Sequence, residues 1–223
     1  MAKILALETA TDACSAALEI DGETRHQFTV AARQHTDLLL PMISDLLAQA
    51  GLTVQQLDAI AYGAGPGSFT GVRVATSVTQ GLALAHDVPV IALSCLKILA
   101  VGAARVHRRR RVVPIMDARK SEIYWARYDV NETTFDAVEV TPDALCAPEE
   151  LGIDVVANEI VIGTGAVAYE QALIDAGIPS GAMKKDPVFP RAIDALPAAA
   201  QALDAGEVVS AEFALPIYLR RAV

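Results

Sequence analysis

A glycine-rich block between an apolar strand and a helix constrains this chain more than any other feature. Leu57 to Tyr62 reads as a buried strand, Gly63-Ala64-Gly65-Pro66-Gly67-Ser68-Phe69-Thr70-Gly71-Val72-Arg73 follows, and a helix is expected to about His86. Glycines there leave backbone amides free to face an anion, which the positive end of a helix also attracts. The block is not a nucleotide-binding P-loop, because Val72 and Arg73 stand where that motif needs Lys followed by Ser or Thr. The plainer reading is a tight turn in which Ser68 caps the helix and Gly71 permits close packing. Gly71, Ala75, Ser77, Gly81, Ala83 and Ala85 populate that helix, and such small side chains let another backbone approach.

Before this block, Lys3–Leu7 and Ser15–Ile20 read as strands joined by Glu8-Thr9-Ala10-Thr11-Asp12-Ala13-Cys14, so the chain opens on a β-hairpin. A third strand, about Thr24–Val30, leads to a helix over Gln34–Ala50, ended by Gly51 as a C-terminal cap. Leu39, Ile43, Leu46, Leu47 and Ala50 share one face of that helix, while Leu38 and Met42 widen the apolar band. The surplus is either sandwiched within its own lobe or part of an interface.

Val88–Leu93 is a further strand, with Ser94 as N-cap of a helix to about Ala104. Beyond His107-Arg108-Arg109-Arg110-Arg111, strand patterns restart at Val112–Met116 and Glu122–Asp129 around the turn Asp117-Ala118-Arg119-Lys120-Ser121. The basic run therefore marks a lobe boundary. Pro142–Asn158 reads as irregular, Glu159–Ile162 as a strand entering Gly163-Thr164-Gly165, Val167–Ala176 as a helix and Asp194–Ala205 as a last amphipathic helix. At 53% hydrophobic but 5% aromatic, the core must be built from Ala, Val, Leu and Ile, which suits helices packed on sheets. The fold class expected is α/β, with residues 1–105 as one lobe and 106–223 as a smaller one whose last residues are candidates to pack back on the first.

A net charge of −9 opposes a phosphate backbone, so the chain alone is not expected to grip RNA well. Arg105 and the His107–Arg111 run are the exception; a solvated loop explains them without function, and RNA contact is the second reading. Cys14, Cys95 and Cys146 have no Cys-x-x-Cys spacing and read as buried thiols. His26, His35, His86 and His107 never pair at i+3 or i+4, so a helical two-histidine metal site is excluded and no metal is expected. No Gly-x-Ser-x-Gly elbow is present. The opening stretch is too short for a signal peptide and no apolar run reaches the ~20 residues of a membrane span, so a cytoplasmic location is expected.

Ile4-Leu5-Ala6-Leu7-Glu8-Thr9-Ala10-Thr11, Arg33-Gln34-His35 to Leu40-Pro41, the Gly65–Arg73 block, Met116-Asp117-Ala118-Arg119-Lys120-Ser121-Glu122-Ile123-Tyr124 and Pro216-Ile217-Tyr218-Leu219-Arg220-Arg221 together resemble the TsaB family, also called YeaZ. The resemblance runs the length of the chain. It implies an actin-like fold of two lobes, each a mixed sheet flanked by helices. It also implies a non-catalytic subunit in tRNA N6-threonylcarbamoyladenosine modification at position 37, with a TsaD-like subunit transferring the threonylcarbamoyl group and a TsaE-like ATPase as further partner. In TsaD-like subunits a His-x-x-x-His pair holds the metal after the strand that here ends at Leu93; this chain has Ser94-Cys95-Leu96-Lys97-Ile98.

In that family the docking helices of the first lobe correspond to Gln34–Ala50 and Ser68–Ala85. The expected interface is Leu38, Leu39, Met42, Ile43, Leu46, Val72, Ala75, Thr76 and Thr79, also used for homodimer formation when the chain is alone. Replacing Leu39 or Met42 by Glu, or Ala75 by a bulky residue, is expected to abolish docking and leave the fold largely intact. Weak ATP or ADP binding at the partner interface is expected around Gly65, Gly67, Ser68, Thr70, Thr9 and Thr11, with tRNA bound only through the complex and no membrane contact. The competing readings are a stand-alone actin-like ATPase or kinase, and a glycoprotease-like metallopeptidase, which the missing histidine pair opposes.

Overall fold

The computed structural model describes residues 2–186 and 188–220. Its elements run β1 (Ile4–Glu8), β2 (Ala13–Ile20), β3 (Glu23–Val30), α1 (His35–Ala50), β4 (Ala59–Gly65), α2 (Phe69–His86), β5 (Val90–Ser94) and α3 (Cys95–His107). Then come β6 (Arg111–Arg119), β7 (Glu122–Val130), β8 (Ala137–Cys146), β9 (Glu159–Ile162), α4 (Thr164–Ala168), α5 (Glu170–Asp175), β10 (Met183–Lys184) and α6 (Ala192–Asp204). The first five strands form one sheet in the order β3-β2-β1-β4-β5, and the other five form a second, β8-β7-β6-β9-β10. In each sheet an antiparallel three-stranded meander is extended by strands parallel to its first member. The two halves thus repeat one topology, of which the sequence displays only the strand-turn-strand openings.

β1 and β4 are buried along their whole length because helices cover both faces of the first sheet, which is why they read as continuous apolar runs. On one face, Leu39, Met42, Ile43, Leu46 and Leu47 of α1 and Ala75 and Ala83 of α2 pack with Leu5, Leu7, Leu18, Ile60 and Tyr62. On the other, Ala195, Leu196 and Ala199 of α6 meet Ile4, Ala6, Ala61 and Ile91. α3, sequence-adjacent to the first sheet, lays Leu96, Leu99, Ala100 and Ala103 against Val112, Met116, Ala126 and Tyr128 of the second. α3 and α6 approach closely enough that a Cβ on Gly102 would lie 2.5 Å from Asp194 Oδ2. There Arg105 pairs with buried Asp194 at 2.8 Å.

Gly51 ends α1 at φ 65, its N–H donating to Ala48 O at 3.1 Å and that of Leu52 to Leu47 O at 3.0 Å. This is the left-handed cap that glycine adopts without a Cβ penalty. The stretch expected to be irregular from Pro142 is corrected, because β8 continues to Cys146. Pro142 fits there because β8 is an edge strand and the register shifts between Thr141 and Ala144, where no ladder N–H is needed. The helix expected over Val167–Ala176 is broken at Tyr169 into α4 and α5.

Candidate functional site

A cleft of about 890 Å³ opens between the lobes. The turn after β1 (Ala10, Thr11, Asp12), the glycine loop before α2 (Gly67, Ser68, Phe69), the β6–β7 turn (Met116 to Lys120) and the C-terminal tail (Ile217, Tyr218, Arg220) line it, with Arg73, Tyr124, Thr164 and Phe189.

The first-lobe side is held together by backbone contact. Ser68 N donates to Ala10 O at 2.7 Å, and Thr9 Oγ1 to Gly71 O at 2.7 Å. A Cβ on Gly67 would stand 2.5 Å from the Ala10 Cβ, and one on Gly71 2.0 Å from Thr9 O. These glycines are therefore required by the approach of two loops of the same chain. Ser68 caps α2 by accepting from Gly71 N at 3.0 Å. His35, at the start of α1, fixes the hairpin turn: its Nε2 lies 2.8 Å from Thr11 O and 3.2 Å from Ala13 O. Both neighbours are carbonyl acceptors, so Nε2 carries the proton.

Glu8 lies directly below this turn, 1% exposed. Its Oε1 accepts from Ala10 N at 2.6 Å, while Oε2 has no conventional partner and sits beside the weakly donating Cys95 thiol. Burial pushes its pKa up to about 7, against the opposing pull of the Ala10 N–H, the Cys95 thiol and the Thr9 N–H. Gly63 makes room for it, since a Cβ there would fall 1.9 Å from Oε2. Burial, and then the Glu8 charge, also raise the thiols of Cys95 and Cys14.

On the second-lobe side Asp117 accepts at Oδ1 from Arg119 N at 2.8 Å and from Tyr169 OH at 3.1 Å. Its Oδ2 pairs with Arg119 at 2.9 Å. Thr164 Oγ1 accepts from Asp117 N at 3.0 Å, so the Gly163-Thr164-Gly165 turn braces this hairpin. Gly163 sits at φ 122, where a Cβ would lie 2.2 Å from Ile115 O. The tail then spans both lobes. Tyr62 OH donates to Leu215 O at 3.1 Å, Ile217 N to Ala64 O at 2.7 Å and Gln80 Nε2 to Ala214 O at 2.8 Å, while Arg220 bonds Ala118 O at 3.2 Å and pairs with Glu122. Arg73 stacks 3.7 Å over Phe69 and donates to Tyr218 OH at 2.9 Å.

Of the residues expected around a nucleotide, Thr11, Gly67 and Ser68 line the cleft. Thr70 is exposed outside its lining, and Thr9 is buried and committed to Gly71. Gly65 is buried under the tail, where a Cβ would meet Ile217 O at 2.5 Å. A ligand in the cleft therefore cannot touch Thr9 or Gly65 without displacing protein. His35 and the tail were not legible as parts of this site from spacing alone.

The expected interface residues need a sharper correction. Leu39, Met42, Ile43, Leu46, Val72, Ala75, Thr76 and Thr79 are all at least 93% buried within this chain, and Leu38 is half-buried. They hold the helices to the sheet and to each other, so charging Leu39 or Met42 breaks the fold before it tests docking. Among what α1 and α2 offer to solvent, beside polar and charged residues such as Asp37, Asp45, Arg73 and His86, are Leu40, Pro41, Phe69, Gly81 and Leu84. Leu40 is 51%, Phe69 60% and Leu84 73% exposed. A Cβ on Gly81 meets nothing within 4 Å, so packing within the chain gives no reason for a glycine in mid-helix.

Cys14 and Cys95 are buried free thiols, while Cys146 is half-buried rather than buried. Among the described residues no group of three or more His, Cys, Asp or Glu side chains is placed to hold a metal ion. At the start of α3, Ser94 caps the helix and donates to Asp143 Oδ2 at 2.6 Å, and Tyr128 OH donates to Asp143 Oδ1 at 3.1 Å. The first turn of α3 thus carries a serine cap followed by the buried Cys95 and Leu96. Arg221 of the tail motif lies outside the described residues. Among the described residues no helix is long and apolar enough to cross a membrane.

Two lobes of one repeated topology, meeting where α3 packs on α6 and enclosing a cleft, define a protein of the actin-like class. The family described as "TsaD: tRNA N6-adenosine threonylcarbamoyltransferase" matches residues 28–208. The tRNA threonylcarbamoyladenosine biosynthesis protein TsaB of Escherichia coli is 41% identical over 99% of this chain and 96% of its own length. Its Haemophilus influenzae counterpart is 43% identical over 75% of this chain and 74% of its own. The solved structure of YeaZ from Pseudomonas aeruginosa superposes with a TM-score of 0.91 at 40% identity, covering 98% of this chain and all of that one. The chain belongs to the TsaB family.

Proposed function

We propose that this chain is a non-catalytic subunit of the cytoplasmic machinery that makes N6-threonylcarbamoyladenosine at position 37 of tRNA, and that it docks and organises a TsaD-like catalytic subunit. The names of the relatives support the pathway. The observation that carries the docking role is the solvent side of α1 and α2, where apolar Leu40, Phe69 and Leu84 stand open and Gly81 leaves a backbone bare with nothing inside the chain to explain it. Gly in a helix interior costs about 1 kcal/mol relative to Ala, a cost that close approach of a second backbone offsets. The same surface joins two copies of the chain when no partner is present. A TsaE-like ATPase and tRNA engage the assembly rather than this chain alone.

Weak binding of ATP or ADP near the partner interface is assigned to the cleft; its lining by Thr11, Gly67, Ser68, Lys120 and Thr164 supports the reading, and the engagement of the glycine turns by their own chain supports low affinity. The test is co-elution with a TsaD-like protein for wild type, Leu40→Glu and Leu84→Glu. Loss of the complex in the folded variants is expected; an undiminished complex in both refutes the assignment of the surface.

A further inference from the structure

We propose that Arg108, Arg109, Arg111 and Lys184 form an auxiliary contact for the phosphate backbone of the tRNA on which the complex acts. The inference rests on the reading above and concerns a surface that reading does not use. Arg108 ends α3 in the left-handed conformation, at φ 51, and turns the chain sharply into β6. The four consecutive arginines Arg108 to Arg111 line an open depression of about 380 Å³ with Glu132, Ala157 and Asn158. A second depression of about 330 Å³ continues it through Arg109, Ala157 and Asn158 to Lys184.

The neighbouring carboxylates are already taken: Arg110 pairs with Asp129, Arg127 with Glu159 and Arg105 with Asp194. Glu132 is the one acidic side chain lining the first depression. Among the described residues Arg108, Arg109, Arg111 and Lys184 are in no ion pair, and the three arginines are exposed. A chain of net charge −9 thus gathers uncompensated cations on one surface.

The shape selects the partner. Both depressions are shallow and run into one another, which suits a charged strand lying along the surface better than a small ligand enclosed in it. Planar guanidinium forks match phosphate oxygens two at a time. With four cations the contact adds to binding made elsewhere in the complex and does not by itself hold tRNA to an acidic protein.

The experiment measures tRNA binding by fluorescence anisotropy across a salt series. It compares the wild-type chain with an Arg108→Gln/Arg109→Gln/Arg111→Gln variant, each in complex with the TsaD-like subunit and alone. Each lost phosphate contact removes about 0.7–0.9 from the slope of log affinity against log salt, so the triple variant is expected to be shallower by about 2–3 and weaker by tens-fold at low salt. Co-elution with the catalytic subunit is expected to be unchanged. Equal slopes and affinities overturn the inference while leaving the docking role standing. If no complex forms even for wild type, the docking role fails, and an auxiliary contact that adds to binding made elsewhere in that complex is overturned with it. Wild-type binding to phosphatidylserine vesicles that the variant loses, with tRNA binding unaltered, assigns the patch to a membrane and also overturns it.

Discussion

Replacing Glu8 by Gln isolates a carboxyl that the fold buries under the cleft with one oxygen, Oε2, lacking a conventional partner. Its pKa is raised from an ordinary 4.5 to about 7 by burial. The folded state therefore holds the proton more tightly than the unfolded chain. The stability this contributes is complete below about pH 4.5 and is lost as the pH climbs through 7. At ~1.4 kcal/mol per pH unit, the span from 4.5 to 7 is worth about 3 kcal/mol. Gln keeps an oxygen for the Ala10 N–H and cannot ionise, so the variant lacks this loss. Urea unfolding of both proteins from pH 4.5 to 8 is the assay. The difference between them cancels other raised carboxyls such as Asp143 and Asp194. The difference should shift in favour of Gln by about 3 kcal/mol across the range. A difference that stays flat with pH would mean that Glu8 is solvated or paired in solution, and the reasoning fails.

Gly81→Ala should raise Tm by about 2–4 °C, from about 1 kcal/mol of helix propensity, while weakening partner docking roughly tenfold. A variant that gains stability and docks normally contradicts the close-approach argument. Leu39→Ala should cost about 2–5 kcal/mol in urea unfolding, whereas Leu40→Ala on the neighbouring position should change stability by under about 0.5 kcal/mol and reduce docking; equal effects would show that the helix is turned otherwise. Gly71→Ala should destabilise by roughly 1–3 kcal/mol, since its methyl would collide with Thr9 O at 2.0 Å; wild-type melting would refute the packing of the glycine loop.

Much of the fold was legible because its signals are local. The apolar runs of β1, β2 and β4, the Gly51 cap and the Ser68 and Ser94 caps each announce themselves within a few residues. β8 was missed because Pro148 and Gly152 made the stretch from Pro142 read as irregular, and the edge position that tolerates Pro142 is not written in the local sequence. The cleft was legible only in part. Thr11, Gly67 and Ser68, singled out from the sequence, line the cleft, but Gly65 and Gly71 serve contacts with Ile217 and Thr9, partners 152 and 62 residues away that no local pattern reveals. The interface residues failed for a related reason. Helical periodicity finds the apolar face, and Leu39, Met42 and Ile43 belong to it, but periodicity does not say that the sheet already covers that face. The exposed Leu40 and Leu84 and the bare Gly81 interrupt the pattern, and the interruptions mark the outer surface.

The most direct test is a threonylcarbamoyl-transfer assay on tRNA using a TsaD-like subunit with and without this chain, and this chain without the subunit. Modification is expected when both are present and to fall sharply when this chain is withheld, with none from this chain alone. Transfer by this chain in the absence of the TsaD-like subunit, or full activity of that subunit without it, would contradict the account.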